Sequence, residues 1–353
     1  MVTTSSRAGQ DLAAVWTADV VLGSAAKLAD ADQLTAESWA SLWLGEAWAR
    51  GEIDGESTVG DALRSVVREG AGHPYTESAL RAFLLVAPDS VRPLLTDALG
   101  AGSAGAGAAW DPTAWTVTDA ARYLDPWDCE RFLILTVDGP VPHCLLVAIN
   151  PSIGGVEFIR LMDVDHGRTF FSDWPPDLPP MRRVDADRPQ VIAEAADALR
   201  LMDAAWPRTA DDETASHRAL AWVRCRDYLR PFPQRVGLTV EAGTDVVRDF
   251  LGREPDAAAD SFCAELLLDF GEGYMNDPMA WSPHWVTRFL LDFVPRSVAT
   301  LSEDDQEALP DVLARWVAFA LSRRGVPERW IVPVVAAVQE RRADFEELMG
   351  EPD

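Results

Sequence analysis

Residues 131–171 read RFLILTVDGPVPHCLLVAINPSIGGVEFIRLMDVDHGRTFF, and no other stretch of the chain is dominated by strand-forming residues. Three apolar runs, Phe132–Val137, Cys144–Ile149 and Val156–Met162, are rich in β-branched and aromatic residues. They are parted by Asp138-Gly139-Pro140 and by Asn150-Pro151-Ser152-Ile153-Gly154-Gly155. Short runs of this composition, bounded by turn residues, predict an antiparallel meander. Outward from it nearly every segment carries helical periodicity. The predicted fold is therefore α+β: mostly helical, with a central antiparallel sheet of about three to five strands flanked by N- and C-terminal helical parts.

The expected organisation is a helical part over 1–100, a Gly/Ala-rich linker at 101–109, the meander with its aromatic lead-in and Pro-rich exit over 110–180, and a helical part over 190–353. On the N-terminal side, Thr35-Ala36-Glu37-Ser38 resembles a helix start, and Trp39, Trp43 and Trp48 fall on one face of the helix that follows, which Gly51 ends. Between linker and meander, Thr118–Leu124 reads as one or two helical turns before Asp125-Pro126. Beyond the meander, five prolines between 172 and 189 predict an extended connector. Further helices are expected over 190–205, 215–229, 244–251, 258–269, 283–293, 304–324 and 327–348. Ser302-Glu303-Asp304-Asp305 opens one of them, with acids at the positive end of the helix dipole.

Composition limits the function classes. With 31 basic and 57 acidic residues the 353-residue chain has a net charge of −26, which argues against direct contact with nucleic acid or an anionic membrane surface. Lys27 is the only lysine, a bias that fits a GC-rich genome better than an arginine-based mechanism. The first residues, MVTTSSRAGQD, lack the apolar core of a secretory signal. No apolar run approaches the roughly 18 residues of a membrane span. The four cysteines are scattered singly, so buried thiols in a reducing cytoplasm are expected rather than disulfides or a metal site.

Few residues suggest chemistry. Asp163, Asp165 and His166 leave the third strand together; they form either a carboxylate-oriented histidine for hydrolysis or, more simply, a polar turn. The Asn150–Gly155 stretch is either a nest of amides for an anion or a hairpin turn whose Gly-Gly supplies positive φ. Gly100, Gly102 and Gly105 have dinucleotide-fingerprint spacing, but no strand feeds them, so no cofactor is expected. The histidines lack zinc spacing, and no metal is expected. Arg182-Arg183 and Arg323-Arg324 are small basic points suited to internal ion pairs or a phosphate. The stripe Trp39, Trp43, Trp48 is either core or, if exposed, an interaction patch.

Three segments, HCLLVAINPSIGGVEFIRLMD (143–163), WSPHWVTRFLLDFVPRSV (281–298) and ALPDVLARWVAFALSRRGVPE (308–328), resemble an uncharacterised protein family encoded in GC-rich bacterial genomes. That family shares the Gly-Gly hairpin turn and a Trp-Ser-Pro helix start running into a Leu/Phe-Asp-x-x-Pro-Arg stretch. The resemblance covers about half the chain. It implies an α+β protein with a helical C-terminal part, and it lends no catalytic residue.

The reading that follows is a non-catalytic cytoplasmic interaction or regulatory protein, with a protein partner or self-association. The alternatives are a hydrolase using Asp163, Asp165 and His166, and an acidic mimic of nucleic acid that occupies a DNA-binding protein.

Overall fold

A computed structural model describes residues 16–51, 55–100, 110–150, 154–176, 178–204, 211–231, 240–252, 258–275, 277–297 and 301–350. The Gly-rich stretch 101–109 and turn residues 151–153 lie outside them. Five helices come first: α1 (Ala18–Ser24), α2 (Gln33–Arg50), α3 (Gly55–Glu69), α4 (Thr76–Val86) and α5 (Arg92–Gly100). Then come β1 (Thr116–Leu124), β2 (Arg131–Asp138), β3 (His143–Ile149), β4 (Val156–Met162), the short helix α6 (Val164–Thr169) and β5 (Arg182–Val184). The remaining helices are α7 (Arg188–Ala204), α8 (Asp212–Cys225), α9 (Val240–Leu251), α10 (Ala258–Phe270), α11 (Pro283–Arg288), α12 (Val294–Ser297), α13 (Glu303–Arg323) and α14 (Glu328–Gly350).

The strands form one antiparallel sheet in the order β4-β3-β2-β1-β5. β3 lies inside the sheet, between β4 and β2, and every one of its residues is buried. That explains why its sequence is a continuous apolar run rather than an alternation: both faces of the sheet are covered. On one face Leu133, Leu135, Leu145, Val147 and Ile159 join a core shared with the first helices and with α7 and α8. On the other, Phe132, Ile134, Leu146 and Met162 pack beneath Phe170, Phe171 and Trp174 of the segment that leaves the sheet.

Two sequence expectations change here. Thr118–Leu124 is strand, not helix, because its backbone pairs with β2 from Thr116↔Asp138 to Leu124↔Arg131; tertiary pairing overrides the weak helical propensity of Asp-Ala-Ala-Arg. The Pro-rich connector contributes β5, which adds three residues to the sheet edge beside β1.

The stretch 190–353 divides between two cores. α7 and α8 belong to the N-terminal core, whereas α9 to α14 form a second one around Trp281, Trp285, Phe289, Leu313 and Trp316. The reason lies partly in α2 and α8. They cross so closely that a Cβ at Gly45 would stand 1.9 Å from the carbonyl oxygen of Ala215, a contact only glycine permits.

The starts of α8 and α13 obey the capping rule. Asp211 and Ser302 accept from Thr214 N and Asp305 N. α2 begins two residues before Thr35, because Asp32 is the cap and accepts from the Thr35 amide at 2.7 Å.

Candidate functional site

Asp163, Asp165 and His166 lie together at the start of α6. Asp163 is the N-cap of α6, and its carboxylate accepts from the backbone amide of His166 at 2.8 Å. Asp165 is almost fully exposed beside Arg168, and the exposed His166 ring stacks on Phe170. The hydrogen bond joining Asp163 to His166 therefore runs to the backbone and starts a helix, and it is not a bond to the imidazole. At the preceding turn, Asn150 N donates to Gly155 O and Gly154 N to Asn150 O, which closes a hairpin.

The tryptophan stripe is core. Trp39, Trp43 and Trp48 are buried. The indole N–H groups of Trp39 and Trp43 both donate to Ser24 Oγ at 3.0 Å, and Trp48 lies beneath the guanidinium of Arg218. A surface patch built on them is therefore corrected to an interior contact: a buried indole needs an acceptor, and Ser24 provides it for two.

A polar cleft lies elsewhere, at the end of the sheet where the β1–β2 loop meets the C-terminal helices. It encloses about 500 Å³, and Arg122, Asp128, Arg131, Asn150, Asp277 and Arg324 are among its walls. The loop is tightly folded. Asp125 N donates to Glu130 O, Asp128 N donates to Asp125 O, and the buried Asp125 carboxylate accepts from Cys129 N at 2.7 Å. Asp128 has φ +59°, the one positive φ among the described non-glycine residues. Such a conformation costs energy, which the surroundings must offset.

They do so with ions. Arg324 donates to Asp128 at 2.9 Å and to the Trp127 carbonyl at 3.0 Å, and Arg182 of β5 pairs with the other carboxylate oxygen. The loop is also pinned to the second core, since Trp127 Nε1 donates to Trp330 O at 2.7 Å and the Cys129 thiol to Ala280 O at 3.1 Å.

Across the cleft, the sheet register puts Arg131 opposite Leu124, and Arg122 two residues before it, on the same face. Both guanidinium groups reach Glu194 of α7: Arg131 in a close contact and Arg122 at 3.5 Å. The Nε of each has no partner.

Burial sets the protonation of the neighbouring groups. The Asp125 carboxyl is pushed up to about 7, chiefly by burial and against the two amides that donate to it. Burial likewise drives the Cys129 thiol well above its ordinary value, helped by the Asp125 charge. A thiol so placed is a poor nucleophile at neutral pH.

A second polar cluster is sealed inside the N-terminal core. Glu37 is fully buried and pairs with the buried Arg224; its other oxygen accepts from Gln33 and from the Trp115 indole. Arg224 lies 4.6 Å over the Trp115 ring, whose edge contact is His143 at 5.0 Å. The His143 ring is held down to about 4, first by burial. Without solvent access this cluster is structural.

Sequence reading passed over Arg122, Arg131 and Asp128. The signal available was the polar, Trp-containing Asp125-Pro126-Trp127-Asp128-Cys129 loop between two arginine-bearing strand ends. Arg182 and Arg324 belong to the two basic points, and both make internal ion pairs.

Among the described residues no group of three or more His, Cys, Asp or Glu is placed to hold a metal ion, and no helix is long and apolar enough to cross a membrane. The four cysteines are free and buried. No protein-family model, curated protein or solved structure matches the chain.

Proposed function

We propose that the protein acts without catalysis, as a cytoplasmic interaction or regulatory protein whose recognition centre is the cleft between the sheet end and the C-terminal helices. The observation that carries this reading is the Asp128 loop. A backbone held in the left-handed region by two arginines, at the rim of a polar cleft, is the kind of pre-organised feature that binding sites use. The one thiol lining the cleft is held protonated, which suits recognition better than nucleophilic chemistry.

The test is retention. Tagged protein expressed in its source cells is isolated beside the Arg324→Ala variant, and both are examined by native mass spectrometry and by identification of retained proteins. Wild type is expected to keep a partner or ligand that the variant loses, while both give the same circular dichroism. Retention unchanged by R324A, or a hydrolytic activity abolished by Asp163→Asn, contradicts the reading.

A further inference from the structure

We infer that the cleft receives an oxyanion, a carboxylate or phosphoryl group, on the guanidinium groups of Arg122 and Arg131; this rests on the cleft being the recognition centre. The first argument is charge. Three guanidinium groups, Arg122, Arg131 and Arg324, line the cleft beside two carboxylates, Asp128 and Asp277. Three positive charges against two negative leave an excess of one on the cleft walls, in a chain whose net charge is −26. A local positive site in a strongly acidic protein selects a small anion and keeps bulk polyanions away.

The second argument is geometry. On the Asp128 side the charges are matched in closely spaced contacts, and Arg324 is committed to Asp128 and the Trp127 carbonyl. On the other side two guanidinium groups share the single carboxylate of Glu194. Arg122 reaches it only at 3.5 Å, in the one ion pair this side chain makes among the described residues. Each guanidinium carries five N–H donors in a planar fork suited to two oxygens of a carboxylate or phosphate. Arg122 and Arg131 stand on one face of the sheet, with side chains about one-quarter to two-fifths exposed, so they remain within a ligand's reach. The nearest further acids do not compete for them. In the ion pairs of the described residues both arginines go to Glu194, not to Glu130 or Glu157, and Asp125 is buried behind the loop.

Calorimetric titration of the full chain tests this, using inorganic phosphate and acetate as separate probes against chloride at constant ionic strength. One or both oxyanions are expected to bind, and the stronger identifies the group as phosphoryl or carboxylate. Arg122→Gln and Arg131→Gln should each weaken binding at least ten-fold. Arg64→Gln, on an exposed ion pair of α3, should leave it unchanged. Because R131Q removes the closer partner of Glu194, R122Q is the decisive variant, with its fold checked by thermal melting.

Absence of binding by both probes overturns the inference, as does binding that R122Q leaves intact. In either case a partner that wild type retains and R324A loses would still support the cleft as recognition centre, so the two readings fail separately.

Discussion

The two cores are built on different physics. The N-terminal core, shared by α1 to α5, one face of the sheet and α7 and α8, encloses charge: Glu37 and Arg224 pair out of contact with water, with Gln33, Trp115 and His143 around them. In the C-terminal core Ser282 is the one buried polar side chain among the described residues, and Phe270, Trp281, Trp285, Phe289 and Phe293 meet ring against ring. Aromatic packing supplies area without fixing a unique partner for any group. A buried ion pair adds little net stability but penalises every arrangement that separates it. The ionic cluster therefore specifies how α2, α8 and the sheet dock. The cleft lies at the boundary, where arginines from both sides hold one loop.

Breaking the pair gives the largest expected effect. Glu37→Ala should cost about 3–5 kcal/mol in urea unfolding, because it leaves Arg224 buried and uncompensated. The double variant Glu37→Leu/Arg224→Met should recover much of that loss. Phe289→Ala in the other core should cost a similar 3–5 kcal/mol, with no second substitution of polar type to restore it. If the double variant is as unstable as E37A, the Arg224 charge is not the source of the loss.

The next effect is on pH dependence. Asp125 is raised in the folded state, so its contribution is full below the unfolded value of about 4 and is lost as pH rises through about 7. His143 has the opposite sign: its folded value is lowered to about 4, so stability is lost as pH falls from about 6.5 toward 4. Between those limits the two oppose each other. Asp125→Asn, which keeps an oxygen for the Cys129 amide, should gain on the order of 4 kcal/mol at pH 8 and nothing at pH 4. It should also steepen the acid-side loss that His143 causes. Denaturation midpoints measured from pH 4 to 8 check both limbs; parallel curves for wild type and variant would exclude the assignment to Asp125.

The smallest effect separates the tryptophans. Trp39 donates to Ser24, whereas the fully buried Trp316 indole N–H has no partner. Trp39→Phe should cost about 2 kcal/mol and Trp316→Phe less than about 1, since the latter removes an unsatisfied donor along with some packing. Equal costs in thermal melting would mean that the Ser24 bond contributes nothing.

Much of the fold was legible because its signals are local. Runs of β-branched residues parted by Gly and Pro place β2, β3 and β4, and Ser302 marks the start of α13 within its own turn. β1 was not legible. Asp-Ala-Ala-Arg has no strand preference, and only its pairing with β2 makes it a strand. The stripe of Trp39, Trp43 and Trp48 was legible as one helix face, but not its acceptor, Ser24, on a different element. The cleft was the least legible feature, since none of its charged residues forms a spaced motif.

Taken alone, the sequence determined the fold class, the central sheet and the excess of acidic over basic residues, because composition, periodicity and capping act over a few residues. Tertiary structure decided which helices share a core and which ions meet. Arg224 finds Glu37 across 187 residues and Arg324 finds Asp128 across 196. Coulomb attraction depends on distance in space, and the chain's order does not encode that distance until the elements have packed.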